Sequence, residues 1–181
     1  STAQVANKIM LIARTTPLEE CRKPSDGLSL FYTDLDRRYV DIRVIDKMGR
    51  KCVDSNEVFF DGLPVPREHL IGEEGKGFRY LLDGLNAERI LVATESIGDG
   101  RWFIRKAVEY ANSRVVFGRT IGRNQGVQFP IARAYAASEA ANLMVEKAAR
   151  LFAEGKPCGP EANLAKLLAA DASWAAADMC L

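Results

Sequence analysis

The chain has 181 residues, of which 48% are hydrophobic and 27% are charged, a composition that excludes a disordered or collagen-like protein. Lysine and arginine number 25 and aspartate and glutamate number 24, so the net charge is +1. No overall field would therefore attract nucleic acid or an anionic membrane, and no apolar run approaches the ~20 residues of a membrane-spanning helix.

Side chains that bind metals or act as nucleophiles are few and scattered. The sequence contains one histidine, His69, in a proline-flanked turn region that we expect to be a surface loop. Four cysteines form no CxxC pair or metal-ligand cluster, namely Cys21, Cys52, Cys158 and Cys180. This pattern predicts no metal site and favours a reducing compartment.

The first part of the chain predicts an antiparallel β-sheet or part of a barrel. Short segments rich in β-branched and aromatic residues alternate with turn sequences such as KPSDG and KMGRK. The predicted strands are KIMLIAR (8–14), LSLFYTD (28–34), YVDIRVI (39–45) and EVFFDGL (57–63). We therefore assign residues 1–70 to a partial β-domain.

The remainder predicts long helices. LPVPREHLIGEEGKGF, with two prolines and three glycines, ends the strand pattern. We expect helices over about 76–112 and 124–154 and a third after EGKPCGP, with a glycine-rich turn at RVVFGRTIGRNQGVQFP. Three such helices have more apolar surface than they can hide. The fold class is therefore α+β, with residues 71–181 forming an incomplete up-down four-helix bundle that a fourth helix or neighbouring subunits complete.

Two adjacent charges, Glu88 and Arg89, interrupt an apolar part of the first predicted helix. A helix advances about 100° per residue, so the following residues share one stripe, which we expect to be buried: Phe78, Leu82, Leu85, Arg89, Val92 and Ser96. A lone charge in a dry core costs several kcal/mol. The pair is therefore either a solvated ion pair at the rim of a packing surface or an active-site base beside a ligand contact.

Several motifs follow one another in a fixed order. A strand region precedes VFFDGLPVPREHLIGEEGKGF, a long helix, an R-x-x-F-G sequence as RVVFG, an alanine-rich helix and EGKPCGPEANLAKLLAADAS. This order resembles the acyl-CoA dehydrogenase family over essentially the whole chain. The resemblance covers the second half of the family's β-domain and the first part of its C-terminal helical domain.

The resemblance implies an FAD-dependent oxidoreductase that removes two hydrogens from an acyl-CoA thioester. It also implies electron-transfer flavoprotein as the acceptor, a homo-oligomer (dimer or tetramer), and the cytoplasm or, in a eukaryote, the mitochondrial matrix as the compartment. The chain begins and ends abruptly, so we expect a fragment that alone retains FAD weakly or not at all and is inactive.

The family resemblance also implies roles for residues of the first helix. In the isovaleryl and long-chain branches the base is a glutamate followed by arginine, so Glu88 would be the base and Arg89 a ligand contact and charge partner. Phe78, Leu82 and Asn86 match positions that line the acyl-CoA channel, although core packing explains the first two equally well. In other members the base lies near the end of the family's chain, and that alternative stays open.

Cofactor contacts follow in the same way. Arg114, Phe117, Asn124 and Gln125 resemble residues that contact FAD across a subunit interface, and an arginine fork suits a pyrophosphate. Arg114 at the end of a helix would also complement the helix dipole without any cofactor. Ser1 matches a hydroxyl residue beside the flavin ring.

Two other classes of function remain open. A related flavin-dependent oxidase or monooxygenase would keep the fold and the cofactor but change the chemistry. A noncatalytic helical module would use the long helices for oligomerisation.

Overall fold

The computed structural model describes residues 1–180, which form antiparallel strands followed by an up-down arrangement of helices. The strands are β1 (Lys8–Arg14), β2 (Leu28–Asp34), β3 (Val40–Ile45), β4 (Ser55–Phe60), β5 (Leu70–Ile71), β6 (Val115–Val116) and β7 (Arg119–Thr120); the helices are α1 (Gly77–Ser113), α2 (Gln125–Ala153) and α3 (Gly159–Cys180). The predicted α+β class is confirmed, and the described strands form no closed barrel. Two compact units are present, Ser1–Leu82 and a second that begins at Asp83.

The strand unit contains two small antiparallel sheets, one of order β1-β2-β5 and one of β3 with β4. The predicted strands 8–14 and 28–34 are confirmed in full, and they pair from Lys8↔Asp34 to Arg14↔Leu28. The prediction for the fourth strand, 57–63, is wrong at both ends. That strand stops at Phe60 because the next residues turn, with Gly62 at a φ of +66°. The sequence pattern also missed β5, whose two residues are too few to show a period.

The start of α1 is pressed against strand β2. A Cβ atom on Gly77 would overlap the backbone nitrogen of Leu30 and would lie 2.8 Å from the Cα of Ser29. The buried Ser29 hydroxyl accepts a hydrogen bond from the Gly75 N–H at 2.7 Å and lies 2.8 Å from the Thr15 hydroxyl. Only glycine allows this approach, so the first turn of α1 belongs to the strand unit.

The helical unit is built on small residues at heptad spacing. The buried residues of α2 are Ala134, Ser138, Ala141, Val145 and Ala148, and those of α3 are Ala162, Ala165, Ala169, Ala172 and Ala176. At the crossing of all three helices, a Cβ on Gly100 would lie 3.2 Å from the Ser138 hydroxyl and 3.6 Å from the Ser173 Cα. Small side chains let helix backbones approach closely, as the alanine-rich sequence predicts. The observed ends of α1 and α2 differ from the predicted ends by one residue.

The prediction of the buried stripe on α1 is wrong for the helical unit. The residues that pack in the bundle core are Ile90, Ala93, Ile97 and Ile104. Of the predicted stripe, Arg89, Val92 and Ser96 are only half-buried. The observed stripe is rotated by roughly a quarter of a turn about the helix axis. Close contact with the alanine-rich helices decides which side of α1 is covered, and the hydrophobicity of α1 alone does not reveal it.

The segment RVVFGRT forms a β-hairpin and not the simple turn that was predicted. Val115 pairs with Thr120 and Val116 with Arg119. At the tip, Phe117 and Gly118 both have positive φ values, 52° and 74°. Such tight hairpin turns favour Asn-Gly or Gly-Gly, so a phenylalanine gave no signal of a hairpin.

Large apolar side chains remain on the outside of α3, as the predicted surplus of apolar surface requires. The exposed residues on one side of this helix are Leu164, Leu167, Leu168, Trp174 and Met179. Among the described residues, no helix is both long and apolar enough to cross a membrane.

We predict that Gly77→Ala destabilises the chain by roughly 1–3 kcal/mol, since the new methyl group must displace the β2 backbone. Chemical denaturation measures this change. Gly84→Ala is the matched control on the same helix, because a Cβ there meets open space. It should stabilise the chain by about 0.5–1 kcal/mol. Equal effects of the two substitutions would contradict the close approach.

We also predict a pH-dependent contribution from Glu161 in the first turn of α3. Its backbone N–H and the Lys147 ammonium, 3.3 Å away, hold the pKa of this carboxyl below its ordinary value of 4.5. A lowered folded-state pKa stabilises the fold above the ordinary value, and this stability is lost as the pH falls through the folded pKa. The melting temperature of Glu161→Gln should therefore lie below that of the wild type at pH 7, and the gap should close as the pH falls below 4.5 and through the lowered pKa of Glu161.

Lys147→Met is the control for that measurement. The backbone N–H is the larger cause of the lowered pKa, so most of the pH dependence should remain in this variant. A gap between wild type and Glu161→Gln that stays constant from pH 7 to acid would refute the prediction.

Candidate functional site

Glu88 projects from α1 on the side away from the bundle core. It is exposed, and it is separated from the buried Ile90 by about 200° around the helix axis. Its carboxylate forms no hydrogen bond or ion pair with any residue in 1–180. A carboxylate in this position is free to accept a proton or to meet a ligand.

Arg89 does not pair with Glu88, contrary to the expectation from the sequence. Neighbouring residues on a helix do not face each other. The Arg89 Nη1 atom instead donates to the Asn86 Oδ1 atom at 3.3 Å, one turn earlier on the same helix. Glu88 therefore has no cationic partner among the described residues.

The other predicted substrate contacts lie on the same helix with different exposure. Phe78 is half-buried and Leu82 is exposed. Asn86 lines a hollow of ≈ 430 Å³ together with Asp83 and the loop that joins α2 to α3. Asn86 thus accepts a hydrogen bond from Arg89 and also lines this hollow of the helical unit.

The four predicted cofactor contacts of the helical unit lie close together in sequence, on the β6–β7 hairpin and at the start of α2. Arg114 follows the end of α1 and Phe117 is fully exposed at the hairpin tip. Asn124 is the N-cap residue of α2, and Gln125 is its first residue and is exposed.

This region concentrates positive charge. Arg114, Arg119 and Arg123 are all exposed and lie near the helix start, where the α2 dipole is also positive. Of their guanidinium groups, only that of Arg119 forms a hydrogen bond to a described residue. The backbone N–H groups of Gln125 and Gly126 have no acceptor in the described chain. Unpaired arginines and free amides suit an anion such as the diphosphate of a dinucleotide.

Ser1 belongs to the strand unit, where the residues that follow it are firmly held. The Thr2 N–H donates to the Asp54 carbonyl at 2.8 Å, and the Ala3 N–H donates to the Asn56 side chain at 2.8 Å. Thr2 has a φ of 53°, which is strained for a β-branched residue. Ser1 also lines a hollow of ≈ 300 Å³ with Asn56, whose buried Nδ2 atom has no partner.

The sequence pattern missed Arg37 and Arg119 as contributors to these regions. The Arg37 Nη2 atom donates to the carbonyls of Ala3 and Ala6, both at 2.7 Å. No sequence signal identifies such a bond across more than thirty residues. Arg119 lies five residues before Asn124, and only the hairpin geometry brings the two together.

His69 has a structural contact. It is half-buried, and its Nδ1 atom lies 2.9 Å from the hydroxyl of the buried Thr33. In the part of the chain that the structure describes, no three residues of the types that bind metals come close enough to hold an ion. Neither feature competes with Glu88 as a reactive group.

Comparisons with known proteins identify the family of the chain. The sequence profile for "Acyl-CoA dehydrogenase, C-terminal domain" matches residues 75–181. An acyl-CoA dehydrogenase of Bacillus subtilis (strain 168) is 40% identical over 131 residues, which make up 72% of this chain and 35% of that protein. Butyryl-CoA dehydrogenase from Megasphaera elsdenii superposes with a TM-score of 0.85 at 32% identity, over 93% of this chain and 43% of that one.

A glutaryl-coenzyme A dehydrogenase in complex with glutaryl-CoA gives a TM-score of 0.89 at 30% identity, over 98% of this chain and 45% of that one. The chain therefore spans less than half the length of these relatives. Because the profile of the C-terminal domain covers more than half of its residues, the chain belongs to the acyl-CoA dehydrogenase family.

Proposed function

We propose that the chain forms part of an FAD-dependent acyl-CoA dehydrogenase, in which Glu88 is the catalytic base. The observation that carries the proposal is the exposed and unpaired Glu88 carboxylate on α1, followed directly by Arg89. Family membership supplies the class of reaction. The substrate is an acyl-CoA thioester that loses one hydrogen from each of its α- and β-carbons.

The physical demand on the base explains why an unpaired carboxylate is suitable. The α-proton of a thioester is a weak acid, so the base must not be weakened by a nearby cation. The guanidinium nearest to Glu88 in sequence is that of Arg89. It donates a hydrogen bond to Asn86 and so does not pair with the Glu88 carboxylate. Glu88 takes the α-proton at a carboxylate oxygen, while Phe78, Leu82, Asn86 and Arg89 contact the acyl-CoA.

The residues of the hairpin and the α2 start fit an FAD cofactor. Arg114, Gln125 and the free amides of α2 would hold the diphosphate, Asn124 would add hydrogen bonds, and Phe117 would offer a flat apolar surface. The Ser1 hydroxyl would lie beside the flavin ring. When bound, FAD supplies the acceptor for the β-hydrogen as hydride.

Partners of the enzyme follow from the same proposal. Electron-transfer flavoprotein would accept the electrons that the flavin takes up. The exposed apolar row on α3 supports a homo-oligomer, dimeric or tetrameric. All four cysteines are free thiols. This supports a reducing compartment, the cytoplasm or the mitochondrial matrix.

We predict that Glu88→Gln slows substrate-dependent bleaching of the flavin by ~10²-fold or more. The measurement is stopped-flow absorbance of the FAD-loaded protein, extended to the length of its relatives and mixed with a panel of acyl-CoA thioesters. Asp99→Asn is the matched control, an exposed carboxylate on the same side of α1 three turns later, and it should bleach at the native rate. Native bleaching by Glu88→Gln would place the base elsewhere in the protein.

We predict opposite effects of Phe117→Asn on stability and on cofactor affinity. Asparagine tolerates a positive φ better than an aromatic residue, so the free chain should be stabilised by roughly 1 kcal/mol in chemical denaturation. FAD affinity of the extended protein, followed by flavin fluorescence, should fall because the apolar contact is lost. Gly118→Ala should destabilise the hairpin, since Gly118 has a φ of 74°. Unchanged FAD affinity in Phe117→Asn would exclude this residue from the cofactor site.

A further inference from the structure

Asn124 occupies the N-cap position of α2 without capping the helix. Asparagine is among the best N-cap residues because its side-chain oxygen accepts a hydrogen bond from an N–H of the first turn. The backbone of Asn124 has the extended conformation that capping needs, with a φ of −95° and a ψ of 130°. Yet its side chain makes no capping hydrogen bond.

The Asn124 side chain is engaged by Arg119. The Nη2 atom of Arg119, on β7, donates to the Asn124 Oδ1 atom at 2.7 Å. The acceptor end of the side-chain amide therefore faces the arginine, and its Nδ2 donors have no partner in the described chain. The Gly126 N–H, which a capping oxygen would satisfy, has no acceptor either.

This arrangement lowers the stability of α2 in two ways. An uncapped helix start lacks the stabilising hydrogen bond of a capping side chain, and a cation near the positive end of a helix dipole is unfavourable. The hydrogen bond from Arg119 to Asn124 orders a long, exposed arginine side chain, and the rotamer freedom lost there offsets much of its gain. An arrangement that is unfavourable for the free chain becomes favourable when an anion reaches the same amides.

We infer that Arg119 is a positioning residue, which holds the Asn124 side chain away from the capping geometry so that its Nδ2 donors and the Gly126 N–H remain available to the diphosphate of FAD. The inference rests on the proposed FAD site and adds a residue that does not itself touch the flavin. If Asn124 capped α2, its Oδ1 atom would face those N–H groups and repel a phosphate oxygen. Arg119 thus lowers the stability of α2 and raises the affinity of the helix start for an anion.

The first experiment needs no cofactor. In Arg119→Ala, the freed Asn124 caps α2, so the melting temperature of the 181-residue chain should rise by about 2–4 °C. Asn124→Ala alone should leave it nearly unchanged, because Asn124 does not cap in the wild type. Asn124→Ala added to Arg119→Ala should remove the part of the gain that comes from capping. Arg119→Lys, which keeps a donor for Oδ1, should resemble the wild type.

Arg123→Ala is the matched control for electrostatics. It also removes an exposed cation beside the helix start, but Arg123 makes no hydrogen bond to Asn124. Its effect on the melting temperature should be the same in the presence and in the absence of the Asn124→Ala substitution. Coupling to Asn124 should appear for Arg119 alone.

The second experiment measures FAD affinity in the protein extended to the length of its relatives. Arg119→Ala should raise the dissociation constant about tenfold, the loss expected for one charge-assisted hydrogen bond.

Two results of the first experiment would overturn the inference and leave the FAD site intact. One is a lower melting temperature in Arg119→Ala; the other is an equal effect of Asn124→Ala on the melting temperature in the presence and in the absence of Arg119. Native FAD affinity in Arg119→Ala would also overturn it. Failure of the extended wild type to bind FAD would refute the proposed function, while the melting temperatures would still decide whether Arg119 suppresses the cap.

Discussion

The helical unit depends on close contact between backbones along its alanine rows. Every buried residue of α3 is an alanine, and the row on α2 contains only alanine, serine and valine. Each alanine buries little apolar area, so the stability of this contact comes from dense packing of many atoms and not from a few large side chains. Any larger side chain in these rows would force the helices apart. The same constraint sends the leucines and tryptophan of α3 to the outer surface, where a neighbouring helix or subunit can cover them.

The sequence predicted most elements of this fold because their periods are clear. Strands β1 and β2 and the ends of α1 and α2 follow from alternation and from glycine and proline positions. The buried side of α1 did not follow, since a hydrophobicity pattern ranks Val92 above Ala93, whereas packing against alanine rows favours the small residue. The β6–β7 hairpin was missed because Phe117 occupies a conformation that its type rarely adopts.

The sequence likewise predicted some features of the candidate site and missed others. Glu88, Arg89 and the arginines around RVVFG are visible as unusual residue types in the sequence. Their partners are not, because each hydrogen bond depends on backbone geometry: Arg89 with Asn86 on one helix, and Arg119 with Asn124 across a hairpin. The clamp of Arg37 on the segment after Ser1 joins residues more than thirty positions apart. Such contacts decide which charges are free, and this is the property on which a base or an anion site depends.

Two departures from local stability lie at residues that the family resemblance connects to the flavin. Phe117 has a positive φ value and Asn124 leaves its helix uncapped, while Arg119 stands near the positive end of the same helix dipole. In a chain whose packing and periodicity otherwise agree, such conflicts are expected where binding imposes its own geometry. The energy stored in them becomes available when a ligand satisfies the exposed donors. The role proposed for Glu88 follows the same logic, because a base that the fold had already paired would have to break an ion pair before it could take a proton.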